Sequence, residues 1–348
     1  MAGALSGPGF ERHLWPEFQL EFQGKYHMLR DEIITVFGGS GFVGRHVVRA
    51  LARDGYRVRV ATRRPHLSQD LRVMGVVGQV QLVQANVRVR ASVERAVEGA
   101  SGVVNLVGVL NESGRQSFSR LHALGAKVVA ESAAAAGVAN LVHMSALGAD
   151  ANSASRYART KAEGEGFVRA AMENAKILRP SIIFGTDDGF FNRFASMARF
   201  SPALPLFGGG KTRFQPVFVG DVAEAVLAAL DPVKAPDDIY ELGGAGTYTF
   251  EALMRFILKT IDRPRFLIPL PFAIGSVIGL IAEIAGAIPF VPTFLTRDQM
   301  VQLKCDNVVP DGASGLEDLG ITAETIEAIV PAYLECYRRY GQFHERSA

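Results

Sequence analysis

Short runs of apolar and β-branched residues alternate with stretches of helical period through the first half of the chain. Ile33, Ile34, Val36 and Phe37 form the first run, read as a buried strand. A glycine turn follows, and apolar positions then recur at helical spacing from Phe42 to about Ala52. Arg57–Ala61, Gln79–Ala85, Gly102–Val107, Asn140–Met144 and Lys176–Leu178 read as further strands. Ser92–Glu98 and the alanine-rich Phe118–Ala136 read as helices, the second stopped by Gly137. Strands alternating with helices in this way predict an α/β fold, a Rossmann-type, doubly wound, mostly parallel sheet. Beyond Gly185 the pattern loosens. Asp221 is read as the N-cap of a helix through Leu230, Ile239–Leu242 as a seventh strand, and Thr249 as the start of another helix. Thr322 is expected to cap a closing helix to about Tyr340. The expected organisation is a tail over residues 1–31, a dinucleotide-binding unit over 32–185, and a smaller, mainly helical region over 186–348, interleaved with the sheet near 215–242 and carrying an apolar helix over 266–292.

Composition narrows the function classes. Across 348 residues the net charge is only +2, which gives no nucleic-acid signature. Cys305 and Cys336 suit neither a disulfide framework nor a metal cluster, and they are compatible with a reducing compartment. In the first 31 residues Glu11, Glu17 and Glu21 argue against a transit peptide, and Met28 is a plausible alternative start. No apolar run is long enough to span a bilayer. The stretch Phe266–Pro292 is nevertheless greasy, with Glu283 the one charge in Ala273–Ile288. A helix apolar on most sides must be covered by protein or by lipid headgroups. Contact with a membrane surface or a partner subunit stands here beside an ordinary core helix.

The candidate chemistry lies where strands end. Gly38, Gly41 and Gly44 are spaced GxxGxxG between a predicted strand and a predicted helix, with Gly39, Ser40, Phe42 and Val43 completing the turn. Such a turn lets a pyrophosphate approach bare backbone N–H groups at the positive end of a helix. After the second strand come Arg63 and Arg64, with no acid. An acid there meets a ribose 2′-hydroxyl, whereas arginine matches a 2′-phosphate, so NADP(H) is the expected cofactor; the alternative is a pair of solvated arginines. Asn86 and Val87 follow the third strand, facing an adenine edge, and Val107 and Gly108 end the fourth. Tyr157 and Lys161 sit at i and i+4 on a predicted helix. A lysine charge nearby is expected to lower the phenol below its usual value of about 10 and make a proton donor or acceptor. Ser145 ends the fifth strand and either bonds a substrate oxygen or satisfies local backbone. Phe190, Phe191, Phe194 and Phe200 line a pocket or lid, or fill a core. Gly208–Gly210 reads as a turn, and Lys211 and Arg213 as surface charges within reach of an anion.

GGSGFVG, VNLVG, HMSALGA, YARTK, LRPSIIFG and VFVGDVAEAV, in this order from about Ile33 to Leu242, resemble the extended and atypical short-chain dehydrogenase/reductase superfamily. RYARTKAEGE, RPSIIFGTDDGFFNRFASMARF, KTRFQPVFVGDV, FLTRDQM and GLEDLGI are similar, more narrowly, to the accessory nucleotide-binding subunit of respiratory complex I and its bacterial relatives. The resemblance implies bound NADPH and a peripheral location where the hydrophilic arm meets the membrane. That is the cytoplasmic face of a bacterial inner membrane or the mitochondrial matrix side, among complex I subunits. It also implies no demonstrated need for turnover. Gly38, Gly41 and Gly44 match the pyrophosphate loop, Arg63 the position after the second strand, and Pro180–Gly185 the stretch beside the nicotinamide. Tyr157 and Lys161 match the catalytic pair, with lysine also holding the nicotinamide ribose. The usual serine or threonine beyond the fifth strand is displaced here to Ser145, followed by Ala146 and Leu147. Two readings follow: an accessory protein with a structural cofactor, and a working oxidoreductase or epimerase acting on an apolar substrate such as a quinone precursor or a sterol-like alcohol.

Overall fold

The computed structural model describes residues 29–112, 114, 116–286, 296–339 and 341. The expectations for residues 1–28 and for 287–292 lie outside them. Chain order begins with β1 (Ile33–Phe37), α1 (Phe42–Arg53), β2 (Arg57–Thr62), β3 (Val80–Gln84), α2 (Arg90–Val97) and β4 (Gly102–Asn105). A π-helical turn, Ser119–Ala123, leads into α3 (Leu124–Ala135), followed by β5 (Asn140–Met144), α4 (Arg156–Ala171) and β6 (Lys176–Pro180). Then come β7 (Ile183–Phe184), α5 (Phe191–Phe200), β8 (Ala203–Phe207), β9 (Arg213–Phe214), β10 (Val217–Phe218), α6 (Val219–Ala229) and β11 (Ile239–Leu242). The chain continues through β12 (Tyr248–Thr249), α7 (Phe250–Thr260), β13 (Phe266–Leu270), α8 (Phe272–Gly286), α9 (Arg297–Gln302) and α10 (Ile326–Leu334). The helix expected over 266–292 is corrected at its start: Phe266–Leu270 pairs with β8 as a parallel strand, and the helix begins at Phe272, after Pro271.

Seven parallel strands form the main sheet in the order β11-β6-β5-β4-β1-β2-β3. Both faces are covered, so the strands read as continuous apolar runs whose side chains alternate between two cores. Val104, Val142 and Leu178 join α1 and α6 on one face, while Val103, Leu141 and Ile177 join α2, α3 and α4 on the other. The order reverses between β1 and β4. A crevice therefore opens beyond their carboxyl ends, where ligands of such sheets bind.

A third core joins α5, α7 and α10 around Phe184, Phe191, Phe250, Leu253 and Val330. Phe191 is fully buried there with Phe190 and Phe194 packed against it, so these rings fill a core, while Phe200 is exposed. Gly208–Gly210 is a tight turn with positive φ at all three residues. Arg213 is paired with Asp306 at 2.8 Å. Two expected caps are corrected. Asp221 lies inside the first turn of α6, whose N-cap is Phe218, and its carboxylate accepts from Glu324 N at 2.8 Å. The closing helix is capped by Thr325 rather than Thr322, because the Thr325 hydroxyl accepts from Ala328 N. No helix among the described residues is long and apolar enough to cross a membrane.

Candidate functional site

The turn after β1 is built by close packing. Gly38 has φ +81°, a conformation that L side chains resist, and its carbonyl accepts from Gly41 N at 3.0 Å. A Cβ on Gly44 would collide with that same carbonyl oxygen, so α1 rides directly on the turn. Gly41 is the N-cap of α1 and brings no side chain to its first N–H groups. Those amides have no partner within the helix and carry its positive end.

A cleft of about 210 Å³ runs from this turn across the strand ends. Gly38, Ser40 and Gly41 form one wall, and Arg63, Asn86, Val87, Val107 and Gly108 line it from β2, β3 and β4. Eight expected positions therefore meet in one crevice. Gly39 packs instead on Val60, Phe42 on Gly185, and Val43 on the core behind the turn. Arg64 is exposed and does not line the cleft; its backbone N–H reaches Thr62 Oγ1 at 3.5 Å. Pro180 is buried at the end of β6, its carbonyl accepting from Leu147 N. Arg63 donates to Gln116 Oε1 at 3.0 Å, and Gln116 also lines the cleft. The sequence reading missed Gln116, which has no motif around it.

Tyr157 and Lys161 share one face of α4, capped by the Ser155 hydroxyl. Lys161 Nζ donates to Met144 O at 3.0 Å and lies 5.9 Å from the Tyr157 ring centre. A Cβ on Gly108 would sit 3.3 Å from this ammonium, so Lys161 reaches the lip of the cleft. Burial pulls Lys161 down to about 8, offset partly by Glu165. Burial pushes the Tyr157 phenol up to about 12, although the residue keeps some exposed surface. The expected lowering of the phenol is thus corrected: burial disfavours the charged phenolate and raises its value. The reading of Ser145 as satisfying local backbone is corrected too. Its Oγ is buried and has no hydrogen-bond partner among the described residues, while its backbone N–H donates to Leu178 O at 2.7 Å.

His122 was not singled out from sequence. It is buried in the π-helical turn, where Nε2 accepts from Val109 N at 3.1 Å and Nδ1 lies 3.2 Å from Thr160 Oγ1. With Nε2 accepting, Nδ1 carries the proton, and Thr160 passes the chain on to Tyr157 O. Its ring also meets the Tyr157 ring edge-on. Burial, then the Lys161 charge, pulls His122 down to about 3, so it is a neutral strut between the cleft lip and α4. Its only sequence signal is a histidine inside an alanine-rich helix.

The residues present fit a nicotinamide dinucleotide. The absence of a Cβ on Gly44 leaves α1 seated on the turn, Gly38, Ser40 and Gly41 line a cleft edged by the Arg63 guanidinium, and the buried Ser145 hydroxyl, without a hydrogen-bond partner among the described residues, stands at the end of β5. Among the described residues no cluster of three metal-ligating side chains is found. The model of the NAD dependent epimerase/dehydratase family matches residues 34–243, which includes the whole cleft. The chain belongs to this family. Its relatives include subunit 9 of the mitochondrial NADH dehydrogenase [ubiquinone] 1 alpha subcomplex of Mus musculus. That protein is 34% identical over 310 residues, 88% of this chain and 81% of the relative. A ceramide reductase of Caulobacter vibrioides is 32% identical over 240 residues, 69% of this chain and 74% of that one. Among solved structures, the NADPH-dependent quinone oxidoreductase QOR2 of Escherichia coli, complexed with NADPH, superposes with a TM-score of 0.66 at 19% identity. It covers 86% of this chain and 99% of its own, a likeness of fold alone.

Proposed function

We propose that this family member is an NADP(H)-binding accessory subunit of respiratory NADH:ubiquinone oxidoreductase, with the cofactor held mainly as a structural ligand. The observation that carries the reading is the length of the likeness to the mitochondrial subunit, 310 residues against the 240 shared with the reductase. It draws in the C-terminal region, which a dinucleotide site alone does not need. In this reading residues 32–185 hold the cofactor, and residues 186–348 dock the chain peripherally on the complex. That places it at the cytoplasmic face of a bacterial inner membrane or the matrix side of a mitochondrial one. Exposed Val277, Ile278 and Ile281 on α8, beside Phe266 and Ile268 on β13, offer the docking face.

The amides of Phe42, Val43 and Gly44 would take the pyrophosphate, Arg63 the 2′-phosphate, and Lys161 the nicotinamide ribose. Bound NADP(H) would stabilise the fold by mass action, about 2.7 kcal/mol at a hundredfold excess over its Kd. Affinity isolation from native membranes should bring complex I subunits with the protein, and the purified protein should keep NADPH through gel filtration without turning over simple carbonyls. Loss of both subunits and cofactor on isolation contradicts the reading.

A second reading, a working oxidoreductase, is favoured by the unpartnered Ser145 hydroxyl and the intact Tyr157–Lys161 pair. Bound NADP(H) supplies or accepts the hydride in such chemistry. Tyr157 would move a proton at its phenolic oxygen, Lys161 would stabilise the phenolate, and Ser145 would orient the substrate oxygen. Tyr157→Phe separates the two: an activity lost with cofactor retained supports the enzyme, and an unchanged cellular phenotype rejects it.

A further inference from the structure

The segment Thr296–Met300, TRDQM, belongs to the resemblance yet has no part in the cofactor cleft. Its residues tie α9 to several other parts of the chain. Thr296 Oγ1 accepts from Gln299 N, and Gln299 Oε1 accepts from Thr296 N, both at 3.2 Å, closing a capping box on α9. Arg297 donates to Glu283 of α8 through its backbone N at 2.8 Å and through Nε at 2.9 Å. Gln299 Nε2 donates to Asn111 Oδ1 at 3.1 Å, in the loop leaving β4 beside the cleft. Met300 is fully buried, with Gly275 of α8 bare beneath its sulfur.

Asp298 reaches out of its own helix altogether. Its Oδ1 accepts from Arg156 N at 2.7 Å, and its Oδ2 from Tyr157 N at 3.2 Å and Ser155 Oγ at 2.8 Å. Gln302 Nε2 donates to the same carboxylate at 3.1 Å. The first helical amides of α4 are orphans by construction. Ser155 satisfies only that of Ala158, and a carboxylate from the far end of the chain satisfies those of Arg156 and Tyr157. A negative group here also favours the positive end of the helix. The other end of the pertinent stretch is held by Arg179, which ties Glu165 of α4 to Glu241 of β11 at 2.7 and 3.0 Å. Between these two anchors sit Tyr157 and Lys161.

We propose that Asp298 is a positioning residue for the nicotinamide half of the cofactor site. By gripping the start of α4 it sets where Tyr157 stands and where the Lys161 ammonium meets the cleft lip at Gly108. The inference rests on the reading of the cleft as an NADP(H) site. The test uses the full chain with Asp298→Ala, Asp298→Asn and, as a control, Thr249→Ala, which removes a side-chain cap from the remote helix α7. Asp298→Ala should raise the NADPH Kd about tenfold, the scale of one lost cap. It should also shift the emission of the bound nicotinamide and speed amide exchange over residues 156–161. Asp298→Asn, which keeps one acceptor oxygen, should recover Kd to within about threefold of the original. Thr249→Ala should lower Tm comparably and leave Kd and that exchange unchanged. An Asp298→Ala variant that binds NADPH as the original does, or a loss that Thr249→Ala reproduces, overturns the proposal. If the unaltered protein binds no NADPH, the cofactor reading fails. Exchange over 156–161 then decides alone: faster exchange upholds the grip of Asp298 on α4, and unchanged exchange overturns it.

Discussion

His122 and His143 stand neutral in the interior, each pulled down to about 3 by burial and, secondarily, by the Lys161 charge. Unfolding returns both to the ordinary value near 6.5. Below that pH the unfolded chain binds protons the folded chain does not, so these groups make stability fall as pH falls from about 6.5 toward 3. Each contributes about 1.4 kcal/mol per pH unit in that window. Asp188 and Asp221, both raised by burial, act in the opposite sense, so a variant comparison isolates the histidine. His143→Gln should lose less Tm than the original protein between pH 7 and 5, a gap worth about 2 kcal/mol, readable by calorimetry at the two pH values. A second residue-scale outcome concerns cofactor choice. Arg63 edges the cleft and Arg64 does not, so Arg63→Ala should weaken NADPH by about tenfold or more while sparing NADH. Arg64→Ala should change neither, and titration calorimetry with the two dinucleotides checks both. The residue types alone put the two arginines on one footing, and only the resemblance singled out Arg63. Neither gave a role to Gln116, His122 or Asp298, because their partners are brought close by the fold: Asp298 lies 142 residues from Arg156.

At the scale of elements, the seven strands of the main sheet were legible because most are buried on both faces and read as apolar runs with turn residues after them. β1, β5 and β11 fall where the pattern places them. The glycine turn was legible for the same reason, since its spacing is a steric demand. Caps were not. Asp221 and Thr322 satisfy the local rule for an N-cap, but Asp221 is taken by Glu324 N and Thr325 captures the closing helix instead. Nor does periodicity reveal the π-helical turn that brings His122 to Val109. The turn itself yields a strict expectation. Gly44→Ala places a methyl against the Gly38 carbonyl and must push α1 off β1. It should cost about 1–3 kcal/mol of stability, as overpacking does, and abolish dinucleotide binding. Thermal melts and NADPH fluorescence test the two halves separately.

Over the whole molecule, the proposed reading puts cofactor binding and docking on separate surfaces. The cleft opens at the strand ends, and the apolar face of α8 carries Val277 at 57% and Ile281 at 62% exposure. The paired change Val277→Asp and Ile281→Asp should leave Tm and the NADPH Kd unaltered and release the protein from the respiratory complex. Co-purification from membranes reads that outcome. The sequence marked this stretch as greasy without deciding what covers it, since hydrophobicity alone does not separate core from contact. The central claim is that the glycine turn and Arg63 hold an NADP(H) in this chain. Native mass spectrometry of the protein purified without added nucleotide tests it most directly. The account predicts one dinucleotide per chain, carrying the 2′-phosphate and lost on Arg63→Ala. A chain that is bare, or that carries NAD(H) instead, would contradict it.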